Sequence, residues 1–141
     1  MNNTNSNENN NEIQNKNQNL ILVFVYKIPR ENHDQMINLN NRVIDTFKKY
    51  GVLRFEVFQL GNTDNMMDFI NIAKTIEAKE DEEVWIEIQT YRDRDHLKEV
   101  GVKMMEDESM KEESQQFFKL ITPGSQCNFG EFNRLNNTGF T

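Results

Sequence analysis

Two histidines are the side chains of this sequence best suited to proton transfer near neutral pH. His33 and His96 each lie in the first turn of a predicted helix. The positive end of a helix disfavours the charged form of histidine, and a side chain in the first turn is usually exposed to solvent. His33 and His96 are therefore weak candidates for catalytic residues, and a surface position is their simpler interpretation.

Polar side chains on two predicted strands form a second candidate site. Arg54, Glu56 and Glu87 could share one face of the sheet with Trp85 and Gln89. The simpler interpretation is a cross-strand ion pair, which typically contributes about 0.2–1 kcal/mol. The functional interpretation is the polar floor of a ligand pocket. The candidate pocket residues are Arg54, Phe55, Glu56, Trp85, Glu87, Gln89, Tyr91 and Met104.

Side chains with the spacing of a metal site do not occur in the sequence. The acidic residues at 106–108 and 112–113 lack an EF-hand pattern and are typical of a solvated helix end. The single cysteine, Cys127, falls in a predicted strand, where it is expected to be a small buried hydrophobe. We therefore predict no metal and no cofactor.

The charge balance limits the possible partners. The 141 residues include 23 acidic and 16 basic side chains, which gives a formal net charge of −7. An acidic surface repels phosphate groups, so nucleic acid and anionic membranes are not expected partners. The longest apolar run, residues 20–26, is far shorter than the roughly 20 residues of a membrane span. The residues before it do not resemble a signal peptide, and a cytoplasmic location is the expectation.

The chain divides into one domain and two tails. Residues 1–18 are mostly asparagine with few apolar side chains, a composition that predicts disorder. Residues 19–134 contain the apolar periodicity of a single folded domain. Residues 135–141 are predicted to be a frayed C-terminal tail.

The periodicity predicts six principal elements within that domain. Strands are expected over residues 20–28, 52–60, 83–91 and 125–133. The first helix is expected to start at the N-cap Asn32 and to end at Tyr50, and the second to start at the N-cap Asp93. Residues 66–78 are ambiguous, and a short further helix is expected after Met110. Gly101 and Met105 are expected on the inward stripe of the second helix, and a glycine there suggests a close backbone approach.

The order β-α-β-β-α-β is that of a ferredoxin-like α+β fold. Such a fold has a four-stranded antiparallel sheet with both helices on one face. The first strand is apolar at both its even and its odd positions, which indicates that both faces of the sheet are covered. A second copy of the chain would cover the face without helices, so we predict a homodimer through the sheet face, a dimeric α+β barrel.

Three stretches within these elements carry a resemblance to a known family. They are residues 47–54 (FKKYGVLR), 78–84 (AKEDEEV) and 103–107 with 110–111 (KMMED and MK); residues 129–132 (FGEF) add a weaker match. The chain thereby resembles a distant member of the YbaA-like family, small proteins of unassigned function with a dimeric α/β barrel fold. The chain departs from the family's polar pairs at residues 57–58, 87–88 and 97–98, which are Val-Phe, Glu-Ile and Leu-Lys.

The resemblance supplies a place for a site but no reaction. Wider relatives of the barrel fold include cofactor-independent monooxygenases, whose sites lie between sheet and helices. We therefore expect a small organic molecule to bind in a sheet–helix cleft. Two alternatives are a monooxygenase- or isomerase-like enzyme that uses His33 or His96, and a non-catalytic dimer with a structural or interaction role.

Overall fold

The computed structural model describes residues 19–124, 127–136 and 138–139. Its strands are β1 (Leu20–Pro29), β2 (Arg54–Gln59), β3 (Glu82–Tyr91) and β4 (Asn128–Asn133). Its α-helices are α1 (His33–Lys49), α2 (Ile72–Thr75), α3 (Arg94–Met105) and α4 (Glu108–Leu120), and a 3-10 turn, Arg30–Asn32, precedes α1. The predicted disordered tail, residues 1–18, and part of the predicted C-terminal tail lie outside the described residues.

The four strands form one antiparallel sheet in the order β2-β3-β1-β4. This order places the two longest strands, β1 and β3, in the centre. The predicted α+β class with a four-stranded antiparallel sheet is confirmed. Two helices are added to the β-α-β-β-α-β pattern, because the ambiguous residues 66–78 contain α2 and the helix after Met110 is the 13-residue α4.

Aspartate caps start α3 and α4, whereas α1 starts differently. Asp93 Oδ1 accepts the backbone N–H of His96 at 2.8 Å, and Asp107 Oδ1 accepts that of Ser109 at 2.9 Å. The N-cap residue of α1 is Asn32, as predicted. Its side chain makes no capping bond, and its Nδ2 instead donates to the Leu120 carbonyl at 3.0 Å, tying the start of α1 to the end of α4.

The main core lies between the sheet and helices α1, α3 and α4. Its fully buried side chains come from both layers and include Tyr26, Ile28, Met36, Leu39 and Trp85. A second cluster around Leu20, Leu22, Tyr91 and Val100 continues this core beneath α3. Odd-numbered residues of β2 and β3 and even-numbered residues of β1 therefore face the helices.

The opposite side of the sheet, called the back face here, is partly covered by the chain itself. Ala73 and Ile76, in and just after α2, pack against Val25 and Val84 of the back face. The expectation that helices cover only one face is corrected to this extent. Phe58 and Phe132, which also lie on the back face, remain about half exposed.

Two details of α3 differ from the sequence-based predictions. Apart from the helix's own backbone and the adjacent residues, no atom of the described residues lies within 4 Å of the position that a Cβ of Gly101 would occupy, so the predicted close backbone approach is wrong. Met105, expected on the inward stripe, is 78% exposed because α3 ends there and the chain turns toward α4.

Candidate functional site

A cavity of about 280 Å³ lies between β1, β3 and helices α1 and α4. We call it the cleft. Its walls are mostly apolar and include Phe24, Leu39, Val43, Phe47, Phe117 and Phe118. Phe117 packs edge-on against the Tyr26 ring, with 5.0 Å between the ring centroids. The cleft thus lies at the sheet–helix position expected for a ligand.

A chain of hydrogen bonds leads along β3 to a carboxyl group in the cleft. Tyr91 Oη donates to Gln89 Oε1 at 2.7 Å, and Gln89 Nε2 donates to Glu87 Oε2 at 2.6 Å. These residues alternate along the strand, so all three side chains face the helices. Burial raises the pKa of Glu87, and the hydrogen bond from Gln89 offsets only part of that rise. The carboxyl group therefore favours its neutral form more than a solvated glutamate does.

Other buried polar atoms at the cleft have no partner among the described residues. Tyr26 Oη, Asn40 Nδ2 and Glu113 Oε2 make no hydrogen bond to any described residue. Burial raises the pKa of Tyr26 well above its ordinary value, and the nearby Glu87 adds to the rise. The Asn40 side chain lowers this pKa in part, because it lies close to the hydroxyl although it makes no hydrogen bond of ordinary geometry with it. Because unpaired buried polar groups are costly, these atoms mark the cleft as a place where a polar ligand group would be accommodated.

The electrostatics of the cleft disfavour anions. The described residues that line it include Glu87 and Glu113 but no lysine, arginine or histidine. Burial raises the pKa of Glu113, and Asp107 and Glu112 add to the rise, while Arg42 opposes it. A carboxylate or phosphate ligand would find no counter-charge among these residues.

The predicted pocket residues are only partly brought together. Glu87 and Gln89 line the cleft. Tyr91 reaches it through Gln89, and Phe55 stacks on the cleft residue Phe47 at 4.7 Å. Met104 packs in the second core cluster around Leu20 and Val100, away from the cleft.

Trp85 serves the core and a neighbouring depression. Its side chain is fully buried in the main core, and its Nε1 donates to Glu83 Oε1 at 3.0 Å. It also lines a second depression of about 310 Å³, which is separated from the cleft by Asn40 of α1. Asn40 contributes to both cavities.

Arg54 and Glu56 lie on the opposite side of the sheet from Glu87. They pair directly with Thr90 and Ile88 of β3, and cross-strand partners share a face, so both side chains belong to the back face. The expectation that they share a face with Glu87 and Gln89 is therefore wrong by one residue of register. Arg54 Nε and Glu56 Oε1 are 3.7 Å apart and exposed, as in a surface ion pair.

The two histidines occupy separate places outside the cleft. His33 Nδ1 lies 2.7 Å from Glu83 Oε1, and the ring contacts Trp85 edge-on at the rim of the second depression. His96 is buried against Tyr91, and its Nδ1 accepts the backbone N–H of Arg92 at 3.0 Å. The expected exposure of a first-turn histidine is wrong for His96, because this bond folds its ring back onto the sheet.

Sequence reasoning missed most of the cleft. Tyr26 resembles an ordinary core residue. Asn40 is a polar residue on the apolar stripe of α1, and that exception was the one usable signal. Cys127 was expected in a strand as a buried residue. It is exposed, precedes β4 and lines the cleft, and partial burial raises the pKa of its thiol.

The described residues contain no group of three His, Cys, Asp or Glu side chains that could hold a metal ion. In the described part of the chain, none of the helices combines the length and apolar composition needed to cross a bilayer.

Residues 19–120 match the model of the family described as Protein of unknown function (DUF1428). This match covers the strands β1 to β3, all four helices and the cleft walls that they supply. The chain belongs to this DUF1428 family. No curated protein sequence matches it.

Solved structures with low sequence identity share the fold. A NIPSNAP family protein from Agrobacterium tumefaciens is 12% identical, with a TM-score of 0.56 over 85% of this chain and 89% of that one. A Bacteroides thetaiotaomicron protein of unknown function, described as a possible oxidoreductase, is also 12% identical, with a TM-score of 0.52 over 84% and 99%. A dimeric ferredoxin-like protein from an uncultured marine organism is 16% identical, with a TM-score of 0.51 over 87% and 98%.

Proposed function

We propose that this chain binds a small, mainly apolar organic molecule in the cleft. The observation that carries the proposal is the combination of an apolar cavity of about 280 Å³ with a few buried polar side chains along its walls. Ligand sites are generally concave and apolar, with a small number of polar groups that orient the ligand. The absence of lysine, arginine and histidine among the described lining residues favours an uncharged ligand.

Binding of two-ring probes tests this proposal. We expect tetralin and α-tetralone to shift amide NMR signals of residues around the cleft, such as Val43 and Phe117. Val43→Phe, which fills the cleft, should abolish those shifts. The matched control is Ile44→Phe, one residue along α1 and facing the second depression instead. Shifts confined to other surfaces, or shifts that survive Val43→Phe in a folded protein, would contradict the proposal.

We also propose that the chain forms a homodimer through the back face. The apolar side chains that α2 leaves exposed there, Phe58 and Phe132, support it. So does the adjoining segment of residues 66–70, where Met66, Met67, Phe69 and Ile70 are 68–87% exposed. The four exposed side chains of this segment are close together in the chain, and an exposed apolar patch is characteristic of interaction sites.

Hydrogen bonds give the 66–70 segment a defined shape. Asn71 Nδ2 donates to the carbonyls of Asn62 and Asp64 at 2.8 and 2.9 Å, and Asn65 Oδ1 accepts from the backbone N–H of Asn71 at 2.8 Å. A structured loop that presents apolar side chains loses less conformational entropy when it is covered than a loose one. A second copy of the chain offers a matching apolar back face.

Light scattering coupled to size exclusion tests the dimer. We expect a dimer for the unmodified chain and a monomer for Phe58→Glu, which places a charge on the back face. Val102→Glu is the matched control, since Val102 is similarly exposed but lies on α3. A monomer at every concentration of the unmodified chain, or equal dissociation by both substitutions, would contradict the dimer.

An enzymatic function is the second candidate, and the His33–Glu83 pair favours it. A histidine whose Nδ1 is held by a carboxylate has its other ring nitrogen free to accept a proton, as in many general bases. An isomerase-type reaction would begin with proton removal beside a carbonyl. Because His33 lines the second depression, the reacting ketone would bind there and not in the cleft. Deuterium exchange at C2 of α-tetralone in D₂O, followed by NMR, tests for that step; His33→Gln should slow it, whereas His96→Gln should not.

Two narrower proposals follow from the sequence. The YbaA-like stretches support a place near those proteins within the family, and the composition supports a cytoplasmic location. A non-catalytic role as an interaction dimer would be the remaining function if the probes fail to enter the cleft while the back-face dimer forms.

A further inference from the structure

Two hydrogen-bond donors in the cleft have no acceptor among the described residues. Tyr26 is 1% exposed and Asn40 is 7% exposed, and both line the cleft. Neither Tyr26 Oη nor Asn40 Nδ2 makes a hydrogen bond to a described residue. Tyr26 projects from β1 and Asn40 from α1, so the two donors approach the same cavity from the sheet and from the helix layer.

The surroundings of these donors indicate what they can bind. Within the β3 chain, Tyr91 donates to Gln89 and Gln89 donates to Glu87, and none of these three side chains makes a hydrogen bond with Tyr26 Oη or Asn40 Nδ2. The side chains next to Tyr26 are aromatic, including Phe117 at 5.0 Å and Trp85 at 6.4 Å between ring centroids. A group that fits here needs an oxygen that accepts hydrogen bonds and an apolar, flat body.

We propose that the ligand of the cleft is an uncharged cyclic carbonyl compound whose oxygen accepts hydrogen bonds from Tyr26 Oη and Asn40 Nδ2. The proposal rests on the binding function proposed above and names its ligand class. An oxygen between the two donors replaces two unpaired buried groups by two hydrogen bonds, which is the arrangement that buried polar atoms normally adopt. The ring system occupies the apolar walls.

The test compares the dissociation constants of α-tetralone and tetralin, which differ by the carbonyl oxygen. We expect Tyr26→Phe and Asn40→Leu each to weaken the binding of α-tetralone relative to tetralin, by about tenfold for a lost hydrogen bond of ordinary strength. The ratio is compared between variants of one protein, so the different hydration of the two probes in water cancels. Asn41→Leu is the matched control, because Asn41 neighbours Asn40 on α1 but faces the second depression.

The outcomes separate this inference from the function on which it rests. If neither probe binds the unmodified chain, the proposed binding function fails. If both probes bind in the cleft and the ratio is unchanged in Tyr26→Phe and Asn40→Leu, binding stands and the carbonyl assignment is overturned. A third probe, protonated 2-aminotetralin, tests the opposite charge preference. If it binds more tightly than α-tetralone, the carboxyl groups of Glu87 and Glu113 select the ligand and the assignment is again overturned.

Discussion

The two faces of the central sheet bury their apolar side chains to different extents. On the helix side, α1, α3 and α4 enclose β1 and β3 so fully that Tyr26, Ile28 and Met36 are at most 1% exposed. On the back face, α2 covers Val25 and Val84, while Phe58 and Phe132 remain about half exposed. A single chain therefore covers the helix side of the sheet and leaves part of the back face exposed.

The difference also separates the polar groups of the two faces. The helix side keeps a cavity whose polar atoms are buried and in part unpaired, whereas the back face carries the exposed ion pair of Arg54 and Glu56. Buried polar groups interact strongly with a ligand because water does not compete for them, but exposed ion pairs contribute little. The helix side is therefore suited to small-molecule recognition, and the back face to contact with another protein surface.

The largest predicted effect contrasts core truncations on the two faces. Met36→Ala should reduce the free energy of unfolding by about 2–5 kcal/mol, since the Met36 side chain of α1 is fully buried against the sheet. Ile86→Ala on the partly covered back face should cost roughly half as much in dilute solution, because less apolar area leaves water there. Urea denaturation measures both.

Protein concentration sharpens this contrast. If a second copy covers the back face, the cost of Ile86→Ala rises with concentration while that of Met36→Ala stays constant. Equal costs in dilute solution would show that the two faces are packed alike.

A pair of tyrosines on the helix side provides the next test. Tyr26→Phe should increase the free energy of unfolding by about 1–3 kcal/mol, because it removes a buried hydroxyl that has no described partner. Tyr91→Phe should decrease it by a similar amount, since Gln89 Oε1 then loses its donor. The two changes delete the same atom from buried residues, so thermal or chemical denaturation compares them directly. A loss of stability in Tyr26→Phe would show that its hydroxyl is already bonded in the unliganded protein.

The fold was predictable because its signals are local. The periodicities of β1, α1 and β3 and the cap at Asp93 fixed their elements to within one or two residues, and the helix–strand order then favoured one sheet topology. Residues 66–78 were ambiguous because their apolar side chains follow neither period. Of these, Ala73 and Ile76 pack across the back face, while Met66 and Met67 remain exposed.

The candidate site was predictable only along a single strand. Alternation in β3 correctly placed Glu87, Gln89 and Tyr91 together, since successive odd residues share a face. The prediction that Arg54 and Glu56 share this face was wrong, because the register between β2 and β3 depends on strand pairing that no local pattern reveals. A shift of one residue exchanges the two faces of a strand. Tyr26 and Asn40 meet only through tertiary packing of β1 against α1.

The Glu87 carboxyl group predicts a pH dependence specific to the helix side. Burial raises its pKa in the folded chain above the value in the unfolded chain, so it contributes to stability at acidic pH, and that contribution is lost as pH rises through the folded pKa. Glu87→Gln should therefore raise the melting temperature at neutral pH and reduce its decline above about pH 4.5, the ordinary value for glutamate. Glu99→Gln, exposed on α3, is the control. Parallel pH profiles for unmodified chain and Glu87→Gln would contradict the assignment.

The smallest predicted effect concerns a glycine of α3. Gly101 lies within α3, and no neighbouring atom in the described part of the chain would contact an added Cβ. Gly101→Ala should therefore increase the free energy of unfolding by about 1 kcal/mol, because alanine restricts the unfolded chain and favours the helix without a steric penalty. Gly51→Ala is the matched control and should destabilise, since Gly51 has a φ of +84° beyond the end of α1. A loss of stability in Gly101→Ala would mean that another surface, such as that of a second chain, packs against α3 at Gly101. The helix side, like the back face, would then have a surface that one chain leaves uncovered.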